Sequence, residues 1–301
     1  MFKGSIVALI TPFSDGQVDE DALRKLVDWH VEQGTNGIVP CGTTGESPTL
    51  SHEEHGRVVE IVVKQAAGRV PIIAGAGSNN TAEAVALTQH AEAAGADAVL
   101  HVAGYYNRPN QEGLYQHFKA LHDASDIPIM IHGTHDMDAS VIGQLIDKFP
   151  QIEYVKEETS HGPKLRQYVK EFGDRITFFG PGLHYPAELE WGALGVMPSC
   201  CAPHAHARVF DLWQEGHHAE SRREWNRMLP LVFWRWHTAA GEAGKHYLKH
   251  LGIFSTPYVR QQVALPGQHD GAQASFGNLR LDEVDIQEML TILATMGEPP
   301  Y

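Results

Sequence analysis

The chain has 301 residues, 43% of them hydrophobic and 20% charged, and 23 Lys and Arg against 37 Asp and Glu leave a formal charge of −14. The apolar fraction fills a sizeable core and excludes a disordered, collagen-like or coiled-coil chain. The negative field, with no run of Lys and Arg to override it, excludes nucleic acid and anionic membrane surfaces as partners.

Residues 5–10 form an apolar run too short for the core of a signal peptide and are stopped by Thr11 and Pro12, so they read as a buried strand. No stretch approaches 18 consecutive apolar residues, which excludes a spanning helix. After the first strand, Asp19, Glu20 and Asp21 suit the positive end of a helix dipole. Leu23, Leu26, Val27 and Val31 then recur at helical spacing until Gly34. A second helix opens on Ser51, with Glu54 placed to complete a capping box. Further short apolar runs at 37–41, 71–75, 98–102, 128–131, 154–156, 177–180 and 195–198 are each followed by a helix-like segment. Eight such units predict an α/β fold, a (β/α)8 barrel over residues 1–216. A doubly wound open sheet is the rival, because strand order is invisible in one sequence. Helices are predicted over 204–215, 219–236, 243–251 and 281–296, and 264–278 reads as an exposed loop. Residues 217–301 are thus a C-terminal helical extension, with Trp225, Trp234 and Trp236 packing between its helices or between subunits.

Cys41, Cys200 and Cys201 are too few, and odd in number, for a disulfide framework, which points to a reducing compartment and hence the cytoplasm. They read as small apolar groups near a pocket rather than nucleophiles. Gly75-Ala76-Gly77 begins a dinucleotide-like turn, but Asn80 stands where a third glycine is needed and no acidic ribose partner follows. His204, His206, His217 and His218 have no carboxylate at a familiar ligand spacing. No cofactor and no metal are therefore expected.

In a barrel, reactive groups gather at the C-terminal ends of the strands. The second strand ends in Gly42-Thr43-Thr44-Gly45-Glu46, whose backbone N–H groups and two hydroxyls suit a carboxylate, although an ordinary βα turn has the same composition. The sixth ends in Lys156. A lysine buried there either gives up its proton and attacks a carbonyl, or pairs with Glu157 or Glu158.

Three motifs appear together in order and spacing. They are Gly42-Thr43-Thr44-Gly45-Glu46-Ser47-Pro48-Thr49-Leu50, Gly104-Tyr105-Tyr106-Asn107-Arg108-Pro109 with Gln111-Glu112-Gly113-Leu114-Tyr115, and Val155-Lys156-Glu157 with Thr159. Over residues 1 to about 260 the chain resembles the dihydrodipicolinate synthase and N-acetylneuraminate lyase family. The resemblance implies a (β/α)8 barrel with a C-terminal helical extension, a homo-oligomer (tetramer or dimer), and a class I lyase acting on pyruvate or another 2-keto acid. It makes Lys156 the imine lysine and gives the keto-acid carboxylate to Thr43, Thr44 and Gly42. Tyr106 matches the tyrosine that synthases contribute to a neighbouring subunit's proton relay.

One departure concerns the relay itself. Where the family has a tyrosine at the end of the fifth strand, this chain has His132, followed by Gly133, Thr134 and a plain loop residue, His135. His132 reads either as an imidazole proton carrier or as a packed or capping histidine. The next residues, Asp136-Met137-Asp138, lack the arginine that synthases use for the second substrate's carboxylate. The expected reaction is therefore aldol cleavage, condensation or dehydration of a hydroxylated 2-keto sugar acid. A synthase proper, and a keto-acid-binding barrel without turnover, are the alternatives. His184, Tyr185 and Ser199 are candidates for contact with the substrate tail.

Overall fold

The structure, a computed structural model, describes residues 1–105, 108–132, 137–158, 162–237, 240–260 and 281–297. Tyr106, Asn107, His135, Asp136, Thr159 and the loop 264–278 lie outside the described residues.

Eight parallel strands are present where the apolar runs predict them: β1 Gly4–Ala8, β2 Gly37–Val39, β3 Ile73–Gly75, β4 Ala98–Val102, β5 Ile129–His132, β6 Ile152–Lys156, β7 Thr177–Gly180 and β8 Gly195–Val196. Their hydrogen-bonded order is β2-β1-β8-β7-β6-β5-β4-β3, and a parallel bridge between Ile38 and Ile72 brings the two ends together. A ring of sequential neighbours is a barrel, so the open-sheet rival falls. A small hairpin, Phe13–Ser14 paired with Gln17–Val18, decorates the loop after β1 and has no counterpart among the predicted elements.

Side-chain alternation along each strand separates two apolar layers. Ile6, Val39, Ile73, Leu100, Met130, Tyr154, Phe179 and Met197 fill the barrel interior. Phe2 stacks on Tyr154 with ring centroids 4.7 Å apart and covers this inner cluster. Val7, Ile38, Val99, Ile131, Val155, Phe178 and Val196 point outward into the larger core beneath the helices. Burial on both faces is why the strands read as continuous apolar runs rather than alternating ones.

The surrounding helices are α1 Glu20–Glu32, α2 His52–Ala66, α3 Thr81–Ala94, α4 Gln111–Ala124, α5 Ala139–Lys148, α6 Gly162–Phe172, α7 Tyr185–Glu190 and α8 Pro203–Gln214. Ser51 and Glu54 form both bonds of the capping box on α2. Asn80, which breaks the dinucleotide pattern, caps α3 by accepting from the Ala82 N–H. Three more helices follow: α9 His218–His237, α10 Ala240–His250 and α11 Glu283–Met296. Trp225 on α9 meets the edges of Tyr185 and His206, with centroids 6.1 and 6.0 Å away, and the Trp234 indole N–H donates to the Asp285 carbonyl at 3.0 Å, fastening α11 to α9. No helix among the described residues is long and apolar enough to cross a membrane.

The helix layer also encloses histidines that must remain neutral. Burial pushes the imidazoles of His30 and His101 down to about 3 and that of His206 down to about 4. Among the described residues no polar atom reaches either ring nitrogen of His30. An unfolded histidine titrates near 6.5, so below that pH the unfolded chain binds more protons than the folded one. Stability conferred by these neutral rings is complete above about pH 6.5 and falls as the pH drops toward 4. Denaturant unfolding measured from pH 7 to 4.5 is expected to show this decline, and His30→Leu to flatten it by an amount that rises to about 1.4 kcal/mol per pH unit at the acid end. An unchanged slope in that variant would show that His30 does not titrate on unfolding.

Candidate functional site

Alternation places the last residues of β5 and β6 where chemistry is possible. Met130 and Tyr154 face the barrel interior, so His132 and Lys156, each two residues further on, face the same way at the C-terminal rim. The two are register partners across the β5–β6 pair. Lys156 is 7% exposed, and its Nζ donates to Glu158 Oε1 at 3.2 Å. The other carboxylate oxygen, Glu158 Oε2, is hydrogen-bonded to His132 Nε2. One carboxylate therefore bridges the lysine and the imidazole. Burial works to raise the Glu158 carboxyl, but the adjacent Lys156 and His132 outweigh it and hold the group well below the usual carboxylate range.

Of the two acids beside the lysine, Glu158 is thus the partner in the site. Glu157 is fully buried, and its backbone N–H donates to the Phe179 carbonyl at 2.9 Å on the neighbouring strand.

His132 and Glu158 form part of the wall of a cavity of about 590 Å³ whose other walls include Gly42, Thr43, Ser78, Glu83 and Tyr105. Thr43 is exposed and Thr44 half-buried in the turn after β2. The turn is tightly wound: the Gly45 and Glu46 N–H groups donate to the carbonyls of Gly42 and Thr43, both at 3.0 Å. It is bracketed by two non-glycine residues in the left-handed region, Cys41 at φ 55° and Glu46 at φ 56°. Each such residue costs on the order of 1 kcal/mol, and strain of this kind persists only where the surroundings impose it. One reason for it is visible at Gly75, where a Cβ would fall 2.2 Å from the Cys41 carbonyl oxygen, so only glycine lets β3 approach the turn this closely. Cys41 does line the cavity, whereas Cys200 and Cys201 are buried away from it.

The second imposing element comes from beyond the barrel. Glu46 is 1% exposed, and its Oε1 accepts from Lys245 Nζ at 2.6 Å, on α10. Lys245 Nζ also donates to the Tyr258 carbonyl at 2.7 Å, and the Arg260 backbone N–H donates to Glu46 Oε2 at 2.8 Å. The Lys245 ammonium and the Arg260 guanidinium both lie over the Phe13 ring, 4.3 and 4.2 Å from its centroid. Arg260 pairs in addition with Glu54, whose carboxyl is drawn down to about 2 by that guanidinium. Burial pulls the Lys245 ammonium down while Glu46 opposes it, so each ion of the pair depends on the other.

Thr44 and Lys156 adjoin the cavity beside Thr43 and Glu158 without lining it, and three further sequence candidates lie away from it. Tyr185 is fully buried against His206 and Trp225, so it packs α7 onto α8 and α9 and is not available to a substrate tail. His184 precedes α7, donates its backbone N–H to Glu188 at 2.8 Å, and lines a separate surface groove with Arg166, Lys170 and Trp191. Ser199 is half-buried beside Cys200 and does not line the cavity. Of the histidines at 204, 206, 217 and 218, His206 is buried with its Nδ1 against the Ala202 carbonyl at 3.1 Å, and His218 stacks on Trp213 at 4.1 Å. Among the described residues no three His, Cys, Asp or Glu side chains converge as metal ligands. From the sequence, Glu158 reads only as a neutralising partner of Lys156. The signal for more was its spacing, two residues beyond Lys156 and so on the same side of the chain.

Comparison with known proteins gives one consistent result. The chain matches the dihydrodipicolinate synthetase family over residues 1–271. A 4-hydroxy-tetrahydrodipicolinate synthase of Parvibaculum lavamentivorans is 70% identical over 244 residues, covering 77% of this chain and 82% of the relative. The crystal structure of dihydrodipicolinate synthase from Aquifex aeolicus superposes with a TM-score of 0.90 at 32% identity, covering 99% of each chain. The chloride-inhibited synthase of Acinetobacter baumannii, crystallised with pyruvate, superposes with a TM-score of 0.88 at 32% identity, again over 99% of each.

Proposed function

Because the chain belongs to the dihydrodipicolinate synthetase family of lyases, we propose that it is a 4-hydroxy-tetrahydrodipicolinate synthase, condensing pyruvate with aspartate semialdehyde through an imine on Lys156. The relatives' names favour this reaction over the sugar-acid chemistry expected from the sequence. The observation that carries it is a lysine at the inner rim of β6, beside an imidazole and next to a cavity that Thr43 also lines.

In this reading the hydroxyls of Thr43 and Thr44 and the backbone at Gly42 hold the pyruvate carboxylate, which fixes the keto carbon over Lys156. The amine adds to that carbon and water leaves, giving an iminium that draws electrons from the adjacent methyl carbon. Loss of a methyl proton gives an enamine, which attacks the aldehyde carbon, and the new alkoxide takes a proton from the relay that contains His132. The amine of the former aspartate semialdehyde then adds to the imine carbon, and expulsion of the lysine nitrogen closes the ring and frees Lys156. The enzyme acts as a homo-oligomer, tetramer or dimer, in which Tyr106 completes a neighbouring protomer's relay.

Borohydride reduction in the presence of pyruvate, followed by peptide mass analysis, is expected to place a pyruvate-derived adduct on Lys156. Added aspartate semialdehyde is expected to be consumed with pyruvate. Absence of the adduct overturns the imine assignment. An adduct without condensation would redirect attention to hydroxylated 2-keto sugar acids. That second reading is favoured by one observation, the absence of any arginine between residues 109 and 165 to meet a second carboxylate.

A further inference from the structure

We infer that Glu158 is a catalytic residue, a bridging carboxylate that follows the positive charge as it passes between Lys156 and His132. The inference rests on the imine reading above but not on the identity of the second substrate.

The geometry supplies the argument. Oε1 faces the nitrogen that reacts and Oε2 faces the imidazole, so a single anion contacts both ends of one proton-transfer step. After imine formation the lysine nitrogen is cationic as the iminium, and Glu158 opposes that charge at Oε1. In the next step the C3–H bond of bound pyruvate breaks and its proton passes to Nδ1 of the His132 imidazole, Nε2 being held by Glu158. The C3–H electron pair becomes the C2–C3 double bond, and the C–N π pair returns to Nζ. The lysine nitrogen is now neutral and the imidazole is an imidazolium, opposed by Oε2. Net charge in the site is unchanged throughout, and no ion is left unpaired in a largely buried position. Protonation of the enamine carbon by the imidazolium reverses the step without any further reagent.

The carboxylate suits this task because it stays ionised: the neighbouring Lys156 and His132 hold it below the usual range despite burial. An ionised carboxylate only accepts hydrogen bonds, so it fixes Nε2–H as the donor of the neutral ring and orients the imidazole. A tyrosine needs no such partner. An imidazole changes charge as it carries a proton, and Glu158 stands against that change.

Exchange of the pyruvate C3 protons with D2O, followed by NMR on the full-length protein, isolates this step, since it needs only the imine and the base. Glu158→Gln keeps the shape and removes the charge, and is expected to slow exchange by about 10²-fold while borohydride still traps pyruvate on Lys156. Glu158→Ala is expected to be at least as slow and to be accelerated by added formate, which restores a carboxylate. Exchange within about threefold of wild type in Glu158→Gln, or a Glu158→Ala chain that formate does not accelerate, overturns the inference. Wild-type protein that neither traps nor exchanges pyruvate overturns the imine reading and this inference together. Exchange without condensation of aspartate semialdehyde, slowed in Glu158→Gln, removes the synthase assignment and leaves the role of Glu158 intact.

Discussion

If the imine forms on Lys156 as proposed, replacing this lysine with methionine is expected to lower turnover by about 10⁴-fold or more, because no other group takes the place of a covalent nucleophile. The same change is expected to leave the fold intact. Methionine follows the lysine side chain closely in length, the position is only 7% exposed, and an apolar side chain there has no charge to desolvate. Glu158 keeps His132 as a partner, so its carboxylate is not stranded. Steady-state kinetics should show kcat/KM collapsing while the thermal midpoint stays within a few degrees of the parent. Residual turnover within about tenfold of wild type would mean that the nucleophile lies elsewhere.

The largest loss of stability is expected from Lys245→Met. Its partner Glu46 is 1% exposed, and the substitution removes the cation that its Oε1 meets at 2.6 Å away from water. Breaking a buried pair on one side costs about 3–5 kcal/mol, most of it the uncompensated charge rather than the lost attraction. Adding Glu46→Gln to Lys245→Met removes the buried negative charge as well and should restore a substantial part of that loss. Because Glu46 closes the turn that carries Thr43 and Thr44, the single variant is also expected to raise KM for pyruvate. Urea unfolding of the two single variants and the double variant measures the coupling directly. Additive losses would show that the pair does not act as a unit.

These two lysines also show what the sequence discloses. Lys156 is legible because a charged residue ends an apolar strand run, and the eight runs themselves predict the barrel since each strand is apolar on both faces. Lys245 gives no local sign. It sits in an ordinary helical pattern, and its partner is 199 residues away, a separation that no periodicity encodes. Tyr185 misled for a related reason. It follows β7 closely, as a site residue would, but it opens α7 and its ring is directed into the helix layer, a direction set by tertiary packing. Glu158 was readable in part, since its spacing from Lys156 fixes its side of the chain. That it bridges to His132 depends on the lateral pairing of β5 with β6.

The same 199-residue separation has a consequence for how the protein is made. A ribosome adding roughly 5–20 residues per second leaves an interval of about 10–40 s between the emergence of Glu46 and that of Lys245. During that time the nascent chain can assemble strands and helices in order, but the turn bearing Thr43 and Thr44 lacks the cation that holds its strained end. The site is therefore completed last, by the part of the chain that leaves the ribosome after the barrel. A nascent chain released before residue 245 carries every barrel strand and still lacks that anchor.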